Sequence, residues 1–260
     1  MDYQNILLHV QNGIAIITLN RPKAWNALCT ELNMELEDAL RKVDADQTVR
    51  VVILTGGPKV FAAGADIKQM VTADVMEASR TACQGQQINE FIEQMSIPVI
   101  AAVNGMALGG GCELSMACDF RVVARDAVFG QPEVGLGILP GAGGTQRLAA
   151  LVGVTKAREM VMLGTQITGE DALTLGLATC VVDSDKVMET AIDMAKKLQR
   201  KPAYALAMAK QAIAAGQNMG LGTGKLMERY LFALTFGNPD QAEGMQAFAE
   251  KRRPAYSNER

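Results

Sequence analysis

Apolar positions along this chain fall into two patterns: short unbroken runs, and longer stretches in which they recur every three or four residues. GIAIITL (Gly13 to Leu19), VVILT (Val51 to Thr55), IPVIAAV (Ile97 to Val103), FRVVA (Phe120 to Ala124) and ATCVV (Ala178 to Val182) are of the first kind. They are rich in small or β-branched residues and flanked by Gly, Asn or Pro, which predicts buried strands. From Thr30, TELNMELEDALRKVDAD places Leu32, Leu36, Ala39, Leu40 and Val43 at helical spacing, with Thr30 as the expected N-cap. A second helical pattern runs from about Asp74 to Met95, and VFAAGADI crosses a small-residue turn into another helix. In ALGGGCELSMACD (Ala107 to Asp119) three glycines precede what reads as a short helix.

Strands therefore alternate with helices, which predicts an α/β domain of largely parallel strands buried on both faces. In such sheets ligands sit outside the carboxyl ends of the strands, where the turns after VVILT and after PVIAAV fall. Beyond about Ser184 the pattern becomes wholly helical. Its last segment opens Asn238-Pro239-Asp240-Gln241, with Asn238 as expected cap, Pro239 at the first helical position and Gln241 completing a capping box. The apolar face Leu226, Tyr230, Ala233, Leu234 suits packing on the core or on a partner subunit.

Composition removes several classes of function. Apolar residues are 49% and charged residues 20% of 260, and no run approaches the ~18 uncharged apolar residues of a membrane span. MDYQNILLHVQNG has an early acid and no basic segment before a long apolar block, so a cytoplasmic protein without a secretory signal is expected. Five scattered cysteines, no CxxC pair and a single histidine support neither a disulfide framework nor a zinc site. A net charge of −3 provides no general field for nucleic acid, so a polyanionic ligand must be held by local contacts. The fifteen methionines read as core filler.

Three stretches carry candidate chemistry. In FAAGADIKQM (Phe61 to Met70) small residues free the backbone for a ligand, or equally for a tight strand-to-helix turn. In ALGGGCE the glycines and the following helix start form an anion site from neutral main chain. No G-K-[ST] follows and no G-x-G-x-x-G is matched, which argues against a phosphate. Glu113 lies in that helix beside Leu114, Ala117 and Cys118, either paired with a nearby cation or kept for chemistry. FGQPEVGLGILPGAGGTQRL (Phe129 to Leu148) places Glu133 in a loop dense in Gly and Pro. Two glutamates beside glycine-rich turns suit general acid and base work, but spacing alone does not decide whether they converge. His9 reads as an edge-strand or surface histidine, and Ser115 and Cys112 have no histidine near them for nucleophilic catalysis.

Taken together, LNRPKAWNAL, FAAGADI, PVIAAVNGMALGGGCELSMACD, FGQPEVGLGILPGAGGTQRL and EGMQAFAEKR resemble the enoyl-CoA hydratase/isomerase (crotonase) family over almost the whole chain, and most resemble its bacterial short-chain hydratases. The resemblance implies a crotonase-like (Clp/crotonase) spiral of ββα units over residues 1–190 and a C-terminal helical region for subunit association over 191–260. It implies an oxyanion hole from the N–H groups of Ala65 and Gly110, stabilising a thioester enolate when water adds to an α,β-unsaturated acyl-CoA. Glu113 is implied as the base toward water and Glu133 as the acid toward the α-carbon, the two titrating as a pair. Isomerases of the family commonly keep one acidic residue, so retention of both favours hydration. CoA contacts are implied at Lys23, Ala24, Trp25 (a position often Leu), Ala63, Ala65, Asp66, Ile67 and Gly141, and at Phe232 and Lys251 from the C-terminal helices, often across a subunit boundary. No metal or redox cofactor is implied, coenzyme A being part of the substrate, and the expected assembly is a homotrimer or a homohexamer of two trimers.

Overall fold

The computed structural model describes residues 3–257. Its larger sheet has the order β1-β2-β3-β4-β6-β9, with β1 at Ile6–Gln11, β2 at Ile14–Leu19, β3 at Val51–Thr55, β4 at Val99–Val103, β6 at Phe120–Ala124 and β9 at Cys180–Val182. A smaller sheet joins β5 (Met106–Leu108), β7 (Val128–Gly130) and β8 (Ile167–Thr168). From β2 to β9 the large sheet is parallel, and β3 and β4 are buried at every residue. This is why their sequences are continuously apolar rather than alternating.

Strand β1 escapes the sequence pattern because it is an edge strand of which only Ile6 is buried. It returns antiparallel to β2 through Asn12-Gly13, whose φ values of 52° and 73° are those of a tight hairpin turn that favours Asn-Gly. His9 sits exposed on this edge, opposite Ile16.

The helices are α1 (Thr30–Ala45), α2 (Ile67–Met70), α3 (Val75–Gln94), α4 (Gly110–Ala117), α5 (Gly144–Val152), α6 (Val154–Met162), α7 (Gly169–Thr174), α8 (Val187–Gln199), α9 (Ala203–Thr235) and α10 (Pro239–Ala249). Helix α1 buries Leu32, Leu36, Ala39, Leu40 and Val43, the five positions of the predicted stripe, against β1 and β2. Its cap is Cys29 rather than Thr30. Cys29 Sγ accepts from the Leu32 N–H, while the Thr30 N–H and hydroxyl both turn to Gln69 Oε1 at 3.0 and 3.3 Å. Helix α8 lies on β3, β4 and β6 through Val187, Ala191 and Ala195.

The C-terminal helices serve both the core and the exterior. Lys210 of α9 reaches into the core, donating to Ile92 O and Ile97 O and pairing with Asp119 at 2.8 Å. Past Gly220, where the helix is broken at φ 75° and ψ 163°, Leu226, Tyr230, Phe232 and Leu234 are exposed. At α10, Asn238 caps by accepting from the Asp240 N–H, and Pro239 takes the first position. The capping box is not formed, because the Asn238 N–H already goes to Thr235 O and the Gln241 amide goes to Met245 Sδ. Among the described residues no helix is long and apolar enough to cross a membrane.

Candidate active site

Three main-chain segments are stitched side by side beyond β3 and β4. The chain leaving β3 lies along β5, with the Phe61 and Ala62 N–H groups donating to Met106 O and the Leu108 N–H donating to Ala62 O. On its other side runs the 21–28 segment, where Trp25 O accepts from Ala63, Gly64 O from Leu28 and Leu28 O from Asp66 at 2.8–3.0 Å. Within this ladder Ala65 N–H finds no acceptor among the described residues. Neither does Gly110 N–H, because Gly110 is the first residue of α4 and the opening N–H groups of a helix have no internal partner. The two donors are neighbours, since a Cβ on Gly110 would stand 3.5 Å from Ala65 N. Close approach is bought by Gly111, where a Cβ would lie 2.2 Å from Ala62 O.

Asn26 holds the 21–28 segment in place. It is buried with φ 55°, accepts from the Arg21 N–H, and turns its amide nitrogen to the carbonyls of Gly56, Val60 and Phe61. The sequence reading passed over it, although a polar residue between Trp25 and Ala27 in a small-residue loop was the available signal.

The two glutamates arrive from different elements. Glu113, 2% exposed, comes from the first turn of α4 and its Oε1 accepts from Ala142 N–H at 2.8 Å and Gly144 N–H at 2.7 Å. Gly144 must be glycine, because a Cβ there would lie 2.8 Å from that same oxygen. Burial pushes the Glu113 carboxyl above its ordinary range, against the lowering by the two N–H groups and by the nearby Arg147 charge. Glu133 comes from the 3₁₀ turn Glu133–Leu136, and its Oε1 lies 3.0 Å from where a Gly109 Cβ would stand. Its carboxyl is pushed up to about 7, chiefly by burial, with the negative charge of Glu113 adding to the shift.

Between them sits Gln131, fully buried. With its amide nitrogen turned to Glu133 it donates to Oε1 at 2.8 Å and Oε2 at 3.2 Å, and the other amide terminus lies 2.8 Å from the Gly144 Cβ position. The amide thus adjoins both carboxylate sites, and it was legible only as the residue between Gly130 and Pro132. Cys112, beside the same amide, has its thiol pushed up to about 12 by burial and by both glutamates, so it stays protonated and is no nucleophile.

The remaining sequence candidates lie further out. Lys23 and Trp25 are exposed and Ala24 half-buried, in and just after the short 3₁₀ turn Pro22–Ala24. Ala63 is anchored to Trp25 O, and Ile67 is exposed at the start of α2. The Asp66 carboxylate is engaged within the chain, pairing with Arg21 at 3.0 Å and capping α2 at the Lys68 N–H. Gly141 O accepts from Gln86. Phe232 packs edge-on against Phe236 at 5.2 Å, and Lys251 is exposed just past α10. Among the described residues no hydrogen bond joins either to the glutamates.

A family model described as enoyl-CoA hydratase/isomerase matches residues 9–259. The chain belongs to this family. The match takes in every segment of the site and the C-terminal helices. Family relatives include a crotonyl-CoA hydratase of Syntrophomonas wolfei, 44% identical over 97% of this chain and 98% of that protein. A short-chain-enoyl-CoA hydratase of Clostridium acetobutylicum is 41% identical over 97% of both. Among solved structures, an enoyl-CoA hydratase from Bacillus anthracis superposes with a TM-score of 0.93, at 41% identity over 98% of this chain and all of that one. The fold is accordingly the crotonase fold, and the expectation of an α/β spiral with a helical C-terminus holds.

Proposed function

We propose that this chain is a hydro-lyase that adds water reversibly to short-chain trans-2-enoyl-CoA, giving the 3-hydroxyacyl-CoA. The observation that carries the reading is the convergence of two carboxyls of unequal environment beside two unclaimed N–H groups. The Ala65 and Gly110 N–H groups receive the thioester oxygen, where negative charge builds as the enolate forms. Glu113 takes a proton from water as its oxygen attacks the β-carbon, and Glu133 delivers one to the α-carbon. Water and two carboxyls supply both proton transfers, so the chemistry calls for no metal or redox group. The Lys23–Trp25 segment and the main chain from Ala63 to Ile67 border the donors and are the natural seat for coenzyme A. The exposed apolar side chains of α9, α10 and the turn between them, including Phe232, Phe236 and an 87% exposed Phe248, support a homotrimeric or hexameric assembly. Light scattering is expected to give a multiple of three, and a monomer would remove that assembly.

Purified protein is expected to bleach the conjugated-thioester absorbance of crotonyl-CoA. A 3-enoyl-CoA turned over faster than crotonyl-CoA would assign double-bond isomerisation instead. The pH dependence follows from the pair. Hydration starts with one proton, on Glu133, and ends with one proton, on Glu113, so the active free enzyme carries a single shared proton. As pH rises through about 7 that proton is lost, and kcat/KM falls. The overall reaction exchanges no proton with solvent, so its equilibrium constant is independent of pH. Hydration of crotonyl-CoA and dehydration of 3-hydroxybutyryl-CoA must then show parallel alkaline limbs. Rates in both directions across the neutral range test this, and a flat profile through pH 7 would refute the shared-proton mechanism.

A further inference from the structure

The turn that grips Glu113 is itself gripped from behind. Arg147 of α5 forms a forked ion pair with Glu93 of α3, Nε to Oε1 at 2.5 Å and Nη2 to Oε2 at 2.9 Å, and its Nη1 donates to Ala142 O at 2.8 Å. Asn89 donates to the same carbonyl at 3.0 Å, and Gln86 to Gly141 O at 2.8 Å. The turn is therefore held by its carbonyls from α3 and α5, while the N–H groups of Ala142 and Gly144 point at Glu113. The glycines between match this division. A Cβ at Gly143, whose φ is 98°, would lie 2.0 Å from Arg147 Nη1, whereas one at Gly144 would strike Glu113.

We propose that Arg147 is a positioning residue for Glu113: seated in the space that Gly143 leaves open and oriented by Glu93, it fixes the Ala142–Gly144 turn and sets a positive charge behind the carboxylate. A guanidinium is required because its planar fork serves Glu93 and Ala142 O at once, which an ammonium does not. The charged and titratable groups facing this assembly are Cys112 on α4, Glu133 from the adjoining turn, Arg147 on α5, and Glu93 and Glu90 on α3. Burial alone would lower the Arg147 pKa, but Glu93, Glu113 and Glu90 outweigh it and keep the cation fixed. The role rests on the proposed hydration chemistry, in which Glu113 must start ionised.

The sign of the effect separates positioning from mere support. Arg147→Gln removes a charge that favours Glu113 carboxylate, so the Glu113 titration should move up in pH. The same variant should lose about 100-fold in kcat with KM for crotonyl-CoA little changed, the scale expected when a catalytic group is misplaced by about 1 Å. Arg147→Lys keeps the charge and loses the fork, so kcat should fall while the titration stays near that of the parent. Glu93→Gln frees the guanidinium without removing it, so kcat should fall with no upward movement. The Glu113 titration is read by carbon-13 NMR of glutamate-labelled full-length protein, assigned with Glu113→Gln. An unmoved titration in Arg147→Gln, or equal upward shifts in Arg147→Gln and Glu93→Gln, would overturn the proposal. If Arg147→Gln does not fold, Arg147→Lys and Glu93→Gln decide it, and full kcat in both overturns it. The NMR titration needs no turnover, so failure of the hydratase reading and failure of the Arg147 role are told apart.

Discussion

Glu113→Gln and Glu133→Gln are each expected to lower kcat for crotonyl-CoA hydration by about 10²- to 10⁴-fold, the range for loss of a positioned proton-transfer group. Both substitutions are nearly isosteric, and the site can accept both. The amide oxygen of a glutamine at 113 can still receive the Ala142 and Gly144 N–H groups that now converge on Oε1. Burial already disfavours the Glu113 charge, so a neutral amide removes a desolvation cost and the folded state should not weaken. At 133 the new amide faces Gln131, and one amide can pair with another. Thermal midpoints near that of the parent, with turnover nearly lost, are the expected signature. The double variant should lose little more than the worse single one, because the two carboxyls handle one shared proton and act as a unit. Full activity in either single variant would remove the acid and base assignment.

Much of this arrangement could be read from the chain, and the parts that could not share a physical cause. Buried parallel strands declare themselves because both faces are apolar, so β3, β4 and β6 were found nearly to the residue. Strand β1 carries no such record, since pairing on one edge asks little of its side chains. The glycine turns and both glutamates stood out as residue types, yet nothing in a spacing of twenty positions says that Glu113 and Glu133 meet. That is set by Gln131 and Gly144, which make room for one carboxylate and bond the other. Arg147 was equally silent, because an arginine three residues into a polar stretch of helix looks like any solvated one. Its partner Glu93 lies 54 positions away on another helix. Caps failed for a related reason. At Thr30 and Gln241 the side chains had the right chemistry but found a competing partner, in Gln69 and Met245.

Gly110→Ala is expected to lower kcat/KM for crotonyl-CoA by about 10²- to 10³-fold while leaving the fold intact. Of the three consecutive glycines it is the one that isolates the oxygen site. Gly109 has φ 49° and ψ −124°, and a Cβ on Gly111 would lie 2.2 Å from Ala62 O, so changing either disturbs the backbone itself. Gly110 has an ordinary helical position at the start of α4, where alanine is the better helix former. The nearest atom to its added methyl is the Leu28 Cδ1 at 3.2 Å, the end of a flexible side chain. The next nearest is Ala65 N at 3.5 Å. An oxygen that accepts from both N–H groups has to lie about 2.9 Å from each nitrogen, which places it directly against the added methyl. The substitution therefore crowds the thioester oxygen without removing a proton-transfer group. Hydration and dehydration must fall by the same factor, because the equilibrium constant belongs to the reaction and not to the protein. The alkaline limb near pH 7 should stay in place, since the glutamate pair is untouched. A Gly110→Ala protein within twofold of the parent would show that these two N–H groups do not hold the developing charge.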